Sequence, residues 1–189
     1  METEEQKLDK TERLDRFLAG VERRAFRMAI IAVRDGDDAL DIVQEAMLSF
    51  VKGYRQRPDE EWAPLFHKVL QSRITDSVRR NAIRNRFRIW FGFKGAGGED
   101  DDRDPIQEFP DTGSADQSVI LENRDFSAAL DNALRTLPLR QRQAFMLRFL
   151  EELDVAQTAR AMGCSEGSVK THTSRAMHTL RELLEEFEP

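Results

Sequence analysis

The sequence predicts an all-α protein of two small helical domains joined by a flexible acidic linker. Three observations predict this. Apolar residues recur at three- and four-residue steps over most of the chain, which is the spacing of amphipathic helices. The period-two alternation of half-buried strands does not occur. Between about 95 and 117 the periodicity stops, and acids mix with Gly95, Gly97, Gly98, Pro105, Pro110 and Gly113. Such a stretch has too little apolar surface to offset chain entropy.

In the first unit, Leu14, Phe17, Leu18, Val21, Ala25 and Met28 trace one helix face. Asp35-Gly36-Asp37 makes a turn whose carboxylates are placed to cap the next helix. Val43, Ala46, Met47, Phe50 and Val51 form that helix's apolar stripe, and Pro58 follows its end. A third helix buries Trp62, Leu65, Phe66, Val69 and Leu70, then continues through Ile74 and Val78 into an arginine-rich run. Beyond the linker, Phe126, Ala129, Leu130, Ala133 and Leu134 make another amphipathic helix. Pro138 opens the next, with Phe145, Met146 and Phe149 inside. Asp154 with Gln157 forms a capping box for a short helix that stops at Gly163, and Ser165 caps the last one. The expected boundaries are 1–94, 95–124 and 125–189.

A chain of 189 residues with a net charge of −6 looks at first unsuited to nucleic acid, because phosphate contacts need Lys and Arg. The charge is segregated, however. Residues 79–94 hold six bases and no acid, whereas 95–126 hold ten acids against Arg103 and Arg124. The single cysteine, Cys164, rules out an internal disulfide. The longest apolar run, Met28 to Val33, falls far short of the ~20 residues that cross a bilayer. Residues 1–20 alternate acid and base, so no secretory signal is expected. The expectation is a soluble cytoplasmic protein with no direct membrane insertion.

The last two helices have the spacing of a DNA-binding helix-turn-helix. Ala159 allows a tight crossing, Gly163 tolerates the positive φ of the turn, and Val169 wedges the second helix against the first. The second helix then presents Lys170, Thr171, Ser174 and Arg175, cations for phosphate or guanine and hydroxyls for base edges. An ordinary helical hairpin with a solvated face is the competing reading; the caps and the basic, hydroxylic face favour DNA.

Leu137-Pro138-Leu139-Arg140-Gln141-Arg142 followed by the Val155–Arg175 helix-turn-helix resembles region 4 of bacterial RNA polymerase sigma factors. Asp41-Ile42-Val43-Gln44-Glu45 resembles the region 2 segment that docks on the polymerase clamp, and Asp76 followed by Arg79-Arg80 resembles the end of region 2. Two such units with no domain between them resemble the extracytoplasmic-function (ECF) group of the sigma-70 family. The likeness covers about 14–90 and 125–185.

The resemblance implies a region 2 bundle and a region 4 helix-turn-helix. It also implies promoter-specific transcription initiation with core RNA polymerase, on a stress or envelope-response regulon. Asp41, Gln44 and Glu45 share a helix face and would bind core polymerase. Ser72, Arg73, Arg79, Arg80, Arg84 and Arg88 would meet the −10 element, and Lys170, Thr171, Ser174 and Arg175 the −35 element. Arg80, Arg84 and Arg88 lie on one face, suited to bidentate phosphate contacts. Trp90, Phe91 and Phe93 either stack on unpaired bases or pack on their own bundle. Glu99 to Asp104 either thread the polymerase's basic channel or simply solubilise the linker.

Ser72 stands where the family often carries Asn, and Thr173 where an aliphatic residue is common. An anti-sigma partner that clamps the two domains is compatible with the linker. Two alternatives remain: a stand-alone helix-turn-helix regulator, and a protein-binding adaptor that does not touch DNA.

No catalytic set emerges. Asp100, Asp102 and Asp104 open like a calcium loop, but Pro105 and Asp111 break the pattern. His67, His172 and His178 lack zinc spacing, and the glycines fit no phosphate-binding loop. Neither cofactor nor metal is expected, and the protein reads as a non-enzyme.

Overall fold

The computed structural model describes residues 4–90 and 117–187. Helices α1 (Glu4–Val33), α2 (Gly36–Tyr54) and α3 (Trp62–Trp90) form the N-terminal half. Helices α4 (Gln117–Thr136), α5 (Leu139–Phe149), α6 (Val155–Met162) and α7 (Glu166–Leu183) form the C-terminal half. Among the described residues there is no strand. Helix α4 begins at Gln117, so helix already runs through the last residues of the 95–124 segment.

Local signals set the helix ends. Arg34 takes a left-handed φ of 62°, and Asp35 then accepts the Asp38 N–H at 2.8 Å to start α2. A single 3-10 turn, Asp59–Glu61, leads into α3, where the Trp62 indole donates to the Arg57 carbonyl at 3.0 Å.

The N-terminal core is aromatic. Phe17 lies 5.8 Å from Phe50, 5.6 Å from Trp62 and 6.0 Å from Phe66, and Phe50 meets Phe66 edge-to-face. Burying each such ring stabilises the fold by about 1.5–3 kcal/mol, so this cluster fixes how α1, α2 and α3 cross. In the C-terminal half Leu134, Leu147, Val169 and Ala176 are fully buried where α4, α5 and α7 meet.

The two halves also touch each other. Helix α5 lies against α1 and α3, and Met28, Ala32, Gln71 and Ile74 face Leu139, Arg142, Gln143 and Met146 across a small cavity. Helix α3 also runs along α6, and α1 along α4. Two expectations for the apolar stripes fail: Phe149 is 51% and Phe126 41% exposed. On α5 the interior positions next to the other half are taken by Arg142 and Gln143. Their polar groups find partners there, so the helix turns Phe149 outward. Phe126 packs edge-on against Phe187 near the C-terminal end.

Candidate nucleic-acid interface and docking face

The helix-turn-helix is held by its own caps. Asp154 accepts the Gln157 N–H at 2.7 Å while the Gln157 side chain accepts the Asp154 N–H at 2.9 Å, a complete capping box. Gly163 ends α6 at φ 62°, ψ 43°, and the Cys164 N–H reaches back to the Ala159 carbonyl at 3.1 Å, closing the turn. Arg140 of α5 donates to the Met162 carbonyl at 3.0 Å, which satisfies a carbonyl left open at the end of α6. Ser165 then accepts the Ser168 N–H at 3.1 Å and starts α7.

Val169 and Ala176 anchor α7 inward. Lys170, Thr171, Ser174 and Arg175 lie together on its outer face, all exposed. The Thr171 hydroxyl donates to the Gly167 carbonyl at 3.0 Å, so toward a base it serves as an acceptor. Cys164 is half-buried in the turn, and Thr173 buries its hydroxyl without a partner among the described residues.

On α2, Asp41, Gln44 and Glu45 are exposed along one stripe. Leu40 and Leu48 flank them at 45% and 60% exposure, two apolar side chains that sequence reasoning overlooked. A leucine beside each acid at helical spacing was the available signal. Arg73 reaches across from α3 to the Glu45 carboxylate at 3.2 Å and to the Ser49 hydroxyl at 3.0 Å. It therefore joins the α2 face rather than the arginine run.

Ser72, Arg79, Arg80 and Arg84 are exposed on the outer side of α3, with Ile83 (57% exposed) among them. The side chains of Arg88 and Trp90 lie outside the described residues, as do Phe91, Phe93, the Glu99–Asp104 stretch and the calcium-like motif at 100–111. Among the described residues no three His, Cys, Asp or Glu side chains gather as a metal site. No described helix is long and apolar enough to cross a membrane.

Residues 127–180, which hold the second half of α4 together with α5, α6 and most of α7, match the family model for sigma-70, region 4. The ECF RNA polymerase sigma factor SigF of Caulobacter vibrioides is 30% identical over 168 residues, covering 88% of this chain and 82% of SigF. The chain belongs to the ECF RNA polymerase sigma factors. ECF sigma factor BldN of Streptomyces coelicolor is 36% identical over 109 residues, 57% of this chain but 39% of BldN. A solved structure of the sigma factor RpoE with the anti-sigma factor NepR from Bartonella quintana shares the fold. Its TM-score is 0.56 at 24% identity, over 97% of this chain and 98% of RpoE. The region 4 match encloses Lys170, Thr171, Ser174 and Arg175 of α7, so in this sigma factor the family likeness and the basic face coincide.

Sequence reasoning assigned no role to the charges between the halves. Asp131 and Glu151 carry side chains only 3% and 2% exposed. Arg142, buried and near Arg34, has its pKa lowered to about 10, first by desolvation and then by that neighbouring cation. An acid next to the apolar stripe of α4 was the one readable sign.

Proposed function

We propose that this sigma factor docks on core RNA polymerase through the α2 stripe of Asp41, Gln44 and Glu45 and directs it to promoters. Helix α7 enters the −35 major groove with Lys170, Thr171, Ser174 and Arg175. Ser72 and the arginines 79, 80, 84 and 88 of α3 meet the −10 element, while Arg73, paired with Glu45, stays with the α2 face. The domain boundaries 1–94, 95–124 and 125–189 follow from this division of labour. The observation that carries the reading is the exposed, basic and hydroxylic face of α7 inside the region 4 match.

Strand opening then needs no catalytic group, only preferential binding of the open state, which makes the protein a non-enzyme acting where polymerase works, in the cytoplasm. RpoE was solved with an anti-sigma factor, and the likeness of fold supports a similar partner here.

Run-off transcription with purified core polymerase on genomic templates tests the reading. Promoter-specific transcripts that depend on this protein are expected. Their absence, together with failure to co-purify with core, overturns it and leaves the stand-alone regulator.

A further inference from the structure

Two rows of side chains run along the outer side of α2, each at the four-residue step that brings helical neighbours together. Leu40, Gln44 and Leu48 form one row, all exposed. Asp41, Glu45 and Ser49 form the other, within reach of α3. Arg73 of α3 grips two members of this second row at once. One terminal guanidinium nitrogen donates to Glu45 Oε2 at 3.2 Å, and the other donates to the Ser49 hydroxyl at 3.0 Å. The planar fork therefore spans one turn of α2 and holds the Glu45 carboxylate in one direction.

This grip is not what holds the bundle together. Both charged partners remain in water, with side chains 43% and 59% exposed, and exposed ion pairs add little to stability. The crossing of α2 and α3 is set beneath them, where Phe50 packs edge-to-face on Phe66 and Leu70 is fully buried. Arg73 also differs from the arginines further along α3. Arg79, Arg80 and Arg84 are exposed and in no ion pair among the described residues, whereas Arg73 engages both of its terminal nitrogens within the chain.

What the grip changes is the face that α2 presents. Glu45 Oε1 has no partner among the described residues, so it is held in place and able to accept a hydrogen bond from outside. Arg73 offsets the charge of Glu45. Asp41, exposed and in no ion pair among the described residues, is then the acid of the stripe that attracts a basic partner from a distance. An acceptor already fixed in its bound direction loses less freedom on docking, which slows departure more than it speeds arrival.

We propose that Arg73 is a positioning residue of the polymerase-docking face and acts through Glu45; the inference rests on the docking role given to α2 above. The matching surface of core polymerase carries a cation opposite Asp41, an N–H donor opposite Glu45 Oε1, and apolar side chains opposite Leu40 and Leu48.

Biolayer interferometry of the full chain on immobilised core polymerase tests this. Arg73→Ala should leave core at least about threefold faster than wild type, while arriving no more slowly, because its docking face has become more acidic. Once Glu45 is already alanine, Arg73→Ala should cost no further affinity. An unchanged off-rate overturns the positioning role. So does a slower on-rate, which makes the cation itself the contact, and so do additive losses in the Arg73→Ala, Glu45→Ala cycle. A variant that holds core like wild type but loses promoter opening returns Arg73 to the DNA-reading run and also overturns the proposal.

Thermal melting separates positioning from a structural tie. Loss of an exposed pair should lower Tm by less than about 4 °C, and a larger fall overturns the proposal. Wild type that does not bind core defeats the sigma reading and this inference with it. Wild type that binds core, with Arg73→Ala behaving identically, defeats this inference alone.

Discussion

Lys170 and Arg175 sit five residues apart on the outer side of α7, exposed and in no ion pair among the described residues. Both are therefore free to meet phosphate. Each cation that neutralises a phosphate on B-DNA steepens the dependence of log affinity on log salt by about 0.9. Removing both should flatten the slope by about 1.8.

Between 50 and 200 mM salt, a fourfold interval, wild type should then lose about 12-fold more affinity than Lys170→Ala with Arg175→Ala. The assay is fluorescence anisotropy of the full chain on a random-sequence duplex, titrated at several salt concentrations. Non-specific binding suffices because phosphate contacts carry no sequence information. Lys170→Arg should keep the wild-type slope, since the charge is retained. A double variant with an unchanged slope refutes the placement of these side chains against the backbone, whatever happens to affinity at one salt concentration.

Three further outcomes are expected. Asp41→Arg with Glu45→Arg should abolish co-purification with core polymerase while sparing binding to isolated duplex; equal loss of both would count against a docking role for α2. Gly163→Ala meets no atom within 4 Å, so it should cost only the left-handed backbone term of roughly 1–2 kcal/mol, a fall of about 2–8 °C in Tm by calorimetry. Phe50→Ala empties the centre of the aromatic cluster and should lower unfolding free energy by about 3–5 kcal/mol in urea titration, with a loss below 1 kcal/mol excluding its central place.

What the sequence makes legible is what neighbours in the chain decide. The Asp154–Gln157 box, the Ser165 cap and the positive φ at Gly163 are local, and the structure holds each where the residue types require. The apolar stripes of α1, α2 and α3 are equally plain, because one period describes a whole face. Phe149 was misread for the opposite reason. Its place in an apolar stripe is local, but the rotation of α5 is decided by Arg142 and Gln143, whose partners Ile31 and Thr75 lie 111 and 68 residues away. Arg73 is a similar case: its neighbours in sequence suggest the arginine run, and only the crossing of α2 over α3 brings Glu45 within 3.2 Å. For the pairing of Arg27 with Asp131, 104 residues apart, the sequence shows only an acid beside the apolar stripe of α4 and nothing that names its partner.

The division has a physical reason. An apolar interface announces itself as periodicity, and separating it costs about 25 cal/mol for each Å² exposed. Buried charges leave no period, and their attraction largely repays only the cost of desolvating them. The ion pairs of Arg24 with Glu151 and of Arg27 with Asp131 therefore orient the halves, while Met28, Ala32, Ile74, Leu139 and Met146 supply the apolar part of the same contact. Having no period, these ion pairs are visible only in the folded chain.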